Sequence, residues 1–204
     1  MLLTKDKIKN AVRCAREVLS QPEIYGDNEA NLAISIDAVT DYIAAKFHKT
    51  ITIREVNFDA VHLKGRKETY KDGNVFIDIR ANLSDFWKRF VALKELMHIM
   101  VDGDADDHTP YGDVILEKLV LEGHIGVLSG NGDEPPAQSE LVAEIAAIEV
   151  IYPIQKRAED ITGVVGGQTT LAKLEIKYEA PSPIVSTALN AEYLGFVKAA
   201  LESN

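Results

Sequence analysis

The chain is poor in the devices that staple or anchor a small protein. A single cysteine, Cys14, stands among 204 residues. That excludes an intramolecular disulfide and a cysteine-built zinc site. No apolar run approaches the ~20 residues that span a bilayer. No apolar leader follows Met1-Leu2-Leu3-Thr4-Lys5-Asp6, so a cytoplasmic protein with no membrane partner is expected. Positive charge is scarce too: 22 Lys and Arg against 32 Asp and Glu leave a net charge of −10. Such a surface repels phosphate backbones and argues against a nucleic-acid partner. Repeats and low-complexity tracts are missing. With 46 % hydrophobic and 26 % charged residues, the composition is that of one globular domain, residues 1–204, able to bury a core without staples.

Punctuation divides that domain into three parts. Residues 1–49 read as helices: Lys5 to Leu19, stopped by Gln21-Pro22, then a second helix entered at Ser35-Ile36-Asp37 with Ile36, Val39, Ile43 and Phe47 at helical spacing. The basic residues of the first helix, Lys5, Lys7, Lys9, Arg13 and Arg16, read as a solvated face. Residues 50–155 open with a strand, where Ile51 and Ile53 alternate with polar residues and Val56 and Phe58 resume after a one-residue slip that suggests a bulge. Val61 to Tyr70 and Asn74 to Arg80 flank Lys71-Asp72-Gly73, a hairpin signal. The expected sheet is therefore small and mostly antiparallel. Two helices follow, about Asp85 to Val101 and Gln138 to Tyr152, the second ended by Pro153. Between them runs an acidic, Gly/Pro-rich stretch from Asp102 to Pro136, with a short helix expected at Val114 to Glu122. Residues 156–204 form a helical cap, and the fold class is α+β.

Charges stand where core should be. In the helix from Asp85, Phe86, Phe90, Leu93, Met97 and Met100 make one apolar stripe, and Trp87, Val91, Lys94, His98 and Val101 make its neighbour. Lys94, Glu95 and His98 lie in the middle of this largely apolar cylinder. A buried charge is costly unless it is paired or holds a metal. The second helix places Glu140 and Glu144 on one stripe with Ala147 and Ile151, among Leu141, Val142, Ile145, Ile148 and Val150. The economical arrangement sets the helices face to face, so that Glu140 or Glu144 meets Lys94 and His98.

These residues carry a resemblance. Lys88-Arg89-Phe90-Val91-Ala92-Leu93-Lys94-Glu95-Leu96-Met97-His98 resembles the Arg-Phe-Thr-x-Ala-His-Glu-x-Gly-His segment of the ImmA/IrrE family of zinc metallopeptidases. Glu140-x-x-Ala143-Glu144, followed by Ala146-Ala147 and Ile151-Tyr152-Pro153, is similar to that family's downstream Glu-x-x-Ala-Asn-x-Phe-Ala…Leu-Met-Pro helix. The likeness covers Ile51 to Pro153, about half the chain. It implies a zincin-like fold with N-terminal helices, a small sheet, a buried active-site helix pair and a helical cap. It places Glu95 at the general-base position, His98 at the second zinc-ligand position and Glu140 at the third.

The first-ligand position holds Lys94, Met97 replaces a glycine, and Glu144 replaces Asn or Asp. An ammonium has three donors and no lone pair, so it cannot ligate zinc. What it can do is return a positive charge to the pocket and pair with Glu140 or Glu95. The implied protein is a degenerate, inactive relative with no zinc, a pseudoenzyme. The family's action on helix-turn-helix repressors implies a protein or peptide partner, a transcriptional repressor among the candidates. An active zinc endopeptidase would need a substitute ligand from Glu144, His108 or His124. A plain structural or interaction module is the third reading.

Fainter patterns resolve to ordinary structure. Asp102, Asp104, Asp106 and Asp113 echo a calcium loop, but Asp107 stands where glycine is required. Gly163, Gly166 and Gly167 lack phosphate-loop spacing and read as a turn. Thr170 to Leu189 looks like a helix-turn-helix whose second helix has no Arg or Lys, so it is expected to pack against the core rather than read bases.

Overall fold

The computed structural model describes residues 3–25, 33–61, 63–102 and 135–202. These form an α+β fold with eight α-helices and one three-stranded sheet among the described residues. Helix α1 (Lys5–Leu19) starts where the Thr4 hydroxyl accepts the Lys7 N–H. It turns Ile8, Ala11, Val12, Ala15 and Val18 inward. Its basic residues Lys5, Lys7, Arg13 and Arg16 are exposed. A 3₁₀ turn at Pro22–Tyr25 ends the segment. Helix α2 (Ile36–Phe47) is capped by the Ser35 hydroxyl, which accepts the Ala38 N–H, and buries Val39 and Ile43.

Strands β1 (Thr50–Val56), β2 (Gly65–Thr69) and β3 (Asn74–Arg80) lie in the order β1-β3-β2. The hairpin forms as expected, with Gly73 at φ 86° in its turn and β2 antiparallel to β3. However, β1 runs parallel to β3, so the sheet is mixed rather than mostly antiparallel. The reason is the crossing after Val56: the chain passes the end of β3 before turning back as β2, which leaves β3 between the two. The bulge expected in β1 is not there, since its register with β3 is unbroken from Thr50↔Asn74 to Val56↔Arg80. The apolar slip arises because Val56 shares the outer face with Arg54. There Arg54 and Arg66 pair from both sides with the buried Asp78, at 2.6 and 2.9 Å. The second strand is also shorter than the sequence suggests. Arg80 donates to the carbonyls of Ala60 and Leu63, which holds that stretch as a turn and delays β2 to Gly65.

The inner face of the sheet, with Val75, Ile77 and Ile79 buried, packs on helix α3 (Asp85–Asp102). Helix α4 (Pro135–Ile151) packs on both α3 and α1. Ala143, Ala146 and Ala147, all fully buried, keep α4 thin enough for close approach. Helix α5 (Ile154–Val165) begins immediately after Pro153 and ends at Gly166-Gly167, the second at φ 70°. Arg157 of α5 is fully buried and donates to Glu149 at 2.6 Å and, through Nε, to the Tyr152 carbonyl at 2.9 Å. Helices α6 (Leu171–Tyr178), α7 (Ser182–Leu189) and α8 (Ala191–Glu202) complete the cap. Ile184, Val185 and Ala188 of α7 face the core, as a helix without basic residues should. The acidic stretch after Asp102, its expected short helix, and His108 and His124 lie outside the described residues.

Candidate functional site

The face-to-face meeting of α3 and α4 brings the charged residues together. Lys94 Nζ lies 2.6 Å from Glu140 Oε2 and 3.2 Å from Glu95 Oε1. His98 Nε2 lies 3.1 Å from Glu140 Oε1, but off the N–H direction, so the contact is an ion pair rather than a hydrogen bond. One carboxylate of α4 therefore bridges two cations one turn apart on α3. The i, i+4 spacing of Lys94 and His98 makes this possible. Glu95 and His98 are 4 % and 5 % exposed, so their charges are held in a poorly solvated environment. Glu144 follows Glu140 by one turn, close enough for its charge to act on Lys94 and Lys64. Met97 is fully buried in the apolar core.

Electrostatics fix the charge states. Burial opposes charge on Lys94, yet the carboxylates of Glu140 and Glu95 outweigh it and hold the ammonium protonated well above its usual range. Burial likewise opposes charge on His98, and the charge of Glu140 with the hydrogen bond to Asp102 overcomes it, raising the pKa to about 9. Partial burial opposes charge on Glu140 too, but Lys94 and His98 depress its pKa far below the ordinary carboxylate value. At neutral pH the trio is thus ammonium, imidazolium and carboxylate.

Sequence reasoning missed three members of this cluster. Asp102, one turn beyond His98, accepts from His98 Nδ1 at 3.1 Å. Ser139 Oγ donates to Asp102 Oδ1 at 2.8 Å and lies 3.3 Å from the same His98 nitrogen. Lys67 Nζ reaches to 4.0 Å from Asp102 Oδ2. The i, i+4 interval from His98 to Asp102 was a usable signal. For Lys67 the signal lay in the hairpin: Lys67 pairs with Ile77, and a residue opposite an inward isoleucine points inward as well. Gly65, on the same face, allows the close approach of α3, since a Cβ there would lie 2.2 Å from Val91 Cγ1 and 3.4 Å from Glu95 Oε1.

The arrangement restricts the chemistry. Ser139, His98 and Asp102 are not a hydrolase triad, because serine and aspartate both address Nδ1, whereas a triad needs them on opposite ring nitrogens. Zinc does not fit these residues either. Lys94 offers no lone pair, and His98 and Glu140 alone fall short of the three protein ligands of a catalytic zinc site. Among the described residues no group of three or more His, Cys, Asp or Glu side chains is placed to hold a metal ion. No described helix is long and apolar enough to cross a membrane. Neither a family model, nor a curated protein, nor a solved structure matches the chain.

Proposed function

We propose that the chain is a catalytically lapsed relative of the ImmA/IrrE metallopeptidases, zincin-like in fold, which acts in regulation by binding a protein or peptide. The observation that carries this reading is the 2.6 Å contact between Lys94 Nζ and Glu140 Oε2. Along the resemblance, these residues occupy the first and third ligand positions, and the Lys94 ammonium supplies the positive charge that a metal would bring. The fold keeps its buried carboxylates neutralised while losing the Lewis acid that would activate water.

Binding, rather than a purely structural role, is favoured by the sheet. Among the described residues β2 pairs with β3 on one side only, and it runs beside the site, with Gly65 against Val91 and Glu95. A strand at the edge of a sheet can receive an extended peptide as an added strand. A transcriptional repressor is the partner class that the resemblance implies.

Metal analysis of the purified chain by mass spectrometry, before and after incubation with zinc and desalting, tests the reading. Retained zinc far below one ion per chain is expected. About one zinc per chain, together with peptide-bond cleavage that a chelator abolishes, would instead establish the active endopeptidase with a substitute ligand.

A further inference from the structure

Charge is distributed unevenly along this acidic chain. Helix α1 carries Lys5, Lys7, Lys9, Arg13 and Arg16 against Asp6 and Glu17. That is a net charge of +3 in a chain of −10, which leaves −13 for all other residues. Four of the five cations share one stripe: at 100° per residue, Lys5, Lys9, Arg13 and Arg16 fall within about 80° of one another. Lys5, Arg13 and Arg16 are exposed and Lys9 is half-buried. The fifth, Lys7, lies outside the stripe and donates to Gln138 of α4. The opposite face is packed, with Ile8, Ala11, Val12, Ala15 and Val18 buried against α3, α4 and α8.

The acids of α1 do little to offset the stripe. Asp6 lies in the first turn, where it complements the helix dipole. Glu17 accepts the Tyr42 hydroxyl at 2.6 Å and pairs with Lys46 of α2. These bonds, that to Lys46 foremost, hold its carboxyl below its ordinary pKa. Arg13, with its side chain 68 % exposed, donates to the neutral Asn10 amide oxygen at 2.7 Å and stands 3.9 Å from Glu17. One carboxylate is thus shared between Arg13 and Lys46, and an excess of positive charge remains at the surface.

The stripe runs about 17 Å along the helix axis, with cations repeating at about 6 Å. Glutamates at every fourth position of a second helix repeat at the same interval, and glutamate is a good helix former. We propose that the outer face of α1 docks an acidic helix of a partner protein. This goes beyond the function proposed above, because it concerns the face built by α1 and holds whatever His98 and Glu140 bind. A protein is favoured over a nucleic acid because the stripe is short. A longer polyanion would run on over a surface whose residues carry the remaining −13 and repel it.

The test uses the full chain and three fluorescein-labelled probes in anisotropy titrations at low salt. Two are end-capped, alanine-rich peptides of about fifteen residues with Glu or Gln at every fourth position. The third is an oligothymidylate of similar length. The Glu peptide should bind about tenfold more tightly than the Gln peptide, the scale of several screened ion pairs, and added salt should narrow the gap. The variant Lys5→Gln, Lys9→Gln, Arg13→Gln, Arg16→Gln should erase the preference, and Lys5→Gln with Arg16→Gln alone should remove part of it. The variant Lys71→Gln, Lys156→Gln, Lys173→Gln, Lys198→Gln makes the same change in net charge at other exposed positions and should keep the preference. Equal binding of the two peptides, a preference that the α1 variants keep, or one that the control variant also loses overturns the proposal. Oligothymidylate binding tighter than that of the Glu peptide, and lost in the α1 variants, overturns the choice of a protein. Self-association of the chain in sedimentation, lost in the α1 variants, assigns the face to a second copy and overturns an outside partner.

Discussion

The Lys94 ammonium stands 2.6 Å from the Glu140 carboxylate, joining the middle of α3 to the start of α4 across an otherwise apolar helix interface. Their side chains are 21 % and 31 % exposed, so each alone would carry part of its desolvation cost uncompensated. The pair therefore holds the fold as well as the site.

Removing one partner should reveal that dependence. Lys94→Ala leaves Glu140 with His98 alone and strips Glu95 of its ion pair. It should cost about 3–5 kcal/mol in urea denaturation. Adding Glu140→Gln should return part of the loss, since the neutral amide no longer needs a counter-charge. A loss below about 0.5 kcal/mol, the scale of an ordinary surface substitution, would contradict the buried pairing.

His98 makes stability depend on pH in a defined direction. Its pKa is raised to about 9 in the folded chain, above the ~6.5 of an unfolded histidine. A group raised on folding contributes fully below its unfolded pKa and loses that contribution as pH climbs through the folded one. The wild type should therefore lose on the order of 2–3 kcal/mol between about pH 6.5 and pH 9.5. His98→Gln should lack that component. Urea midpoints of both proteins across the window give the difference directly, and a difference that stays constant with pH contradicts the charged imidazolium.

Much of the helical frame was legible in the sequence because its signals are local. The Ser35 cap, the Gly73 turn and Pro153 mark boundaries through backbone chemistry that needs no tertiary context. The meeting of Lys94 and His98 with Glu140 was legible too, because charges on buried stripes must find one another. What escaped was non-local. The parallel pairing of β1 depends on which side of β3 the chain passes, and no residue in β1 encodes that. Val56 looked like a bulge because the Arg54–Asp78–Arg66 contacts that share its face come from two other strands. Lys67 could be turned inward only once the hairpin register was fixed against Ile77. The identity of the partner is written in no local pattern, because an edge strand accepts main chain of any sequence.

Close approach at Gly65 should be measurable by itself. A Cβ at this position would lie 2.2 Å from Val91 Cγ1, and a β-branched side chain on a helix has little freedom to move aside. Gly65→Ala should cost about 1–3 kcal/mol. Placing Val91→Ala in the same chain should cost less than the two separate losses combined. Strict additivity in this double-mutant cycle would mean that β2 and α3 do not touch there.

The central claim is that a lysine stands at a lapsed metal-ligand position, and Lys94→His tests it most directly. His98 and Glu140 already approach within 3.1 Å, and an imidazole one turn before His98 lies at the spacing from which two histidines of one helix chelate zinc. With Glu140 as third ligand the set would leave one tetrahedral position open to water. Calorimetric titration of the correctly folded Lys94→His protein with zinc should show about one ion bound per chain, and the wild type should show no such uptake. Absence of zinc binding by the variant, or equal binding by the wild type, would contradict the account.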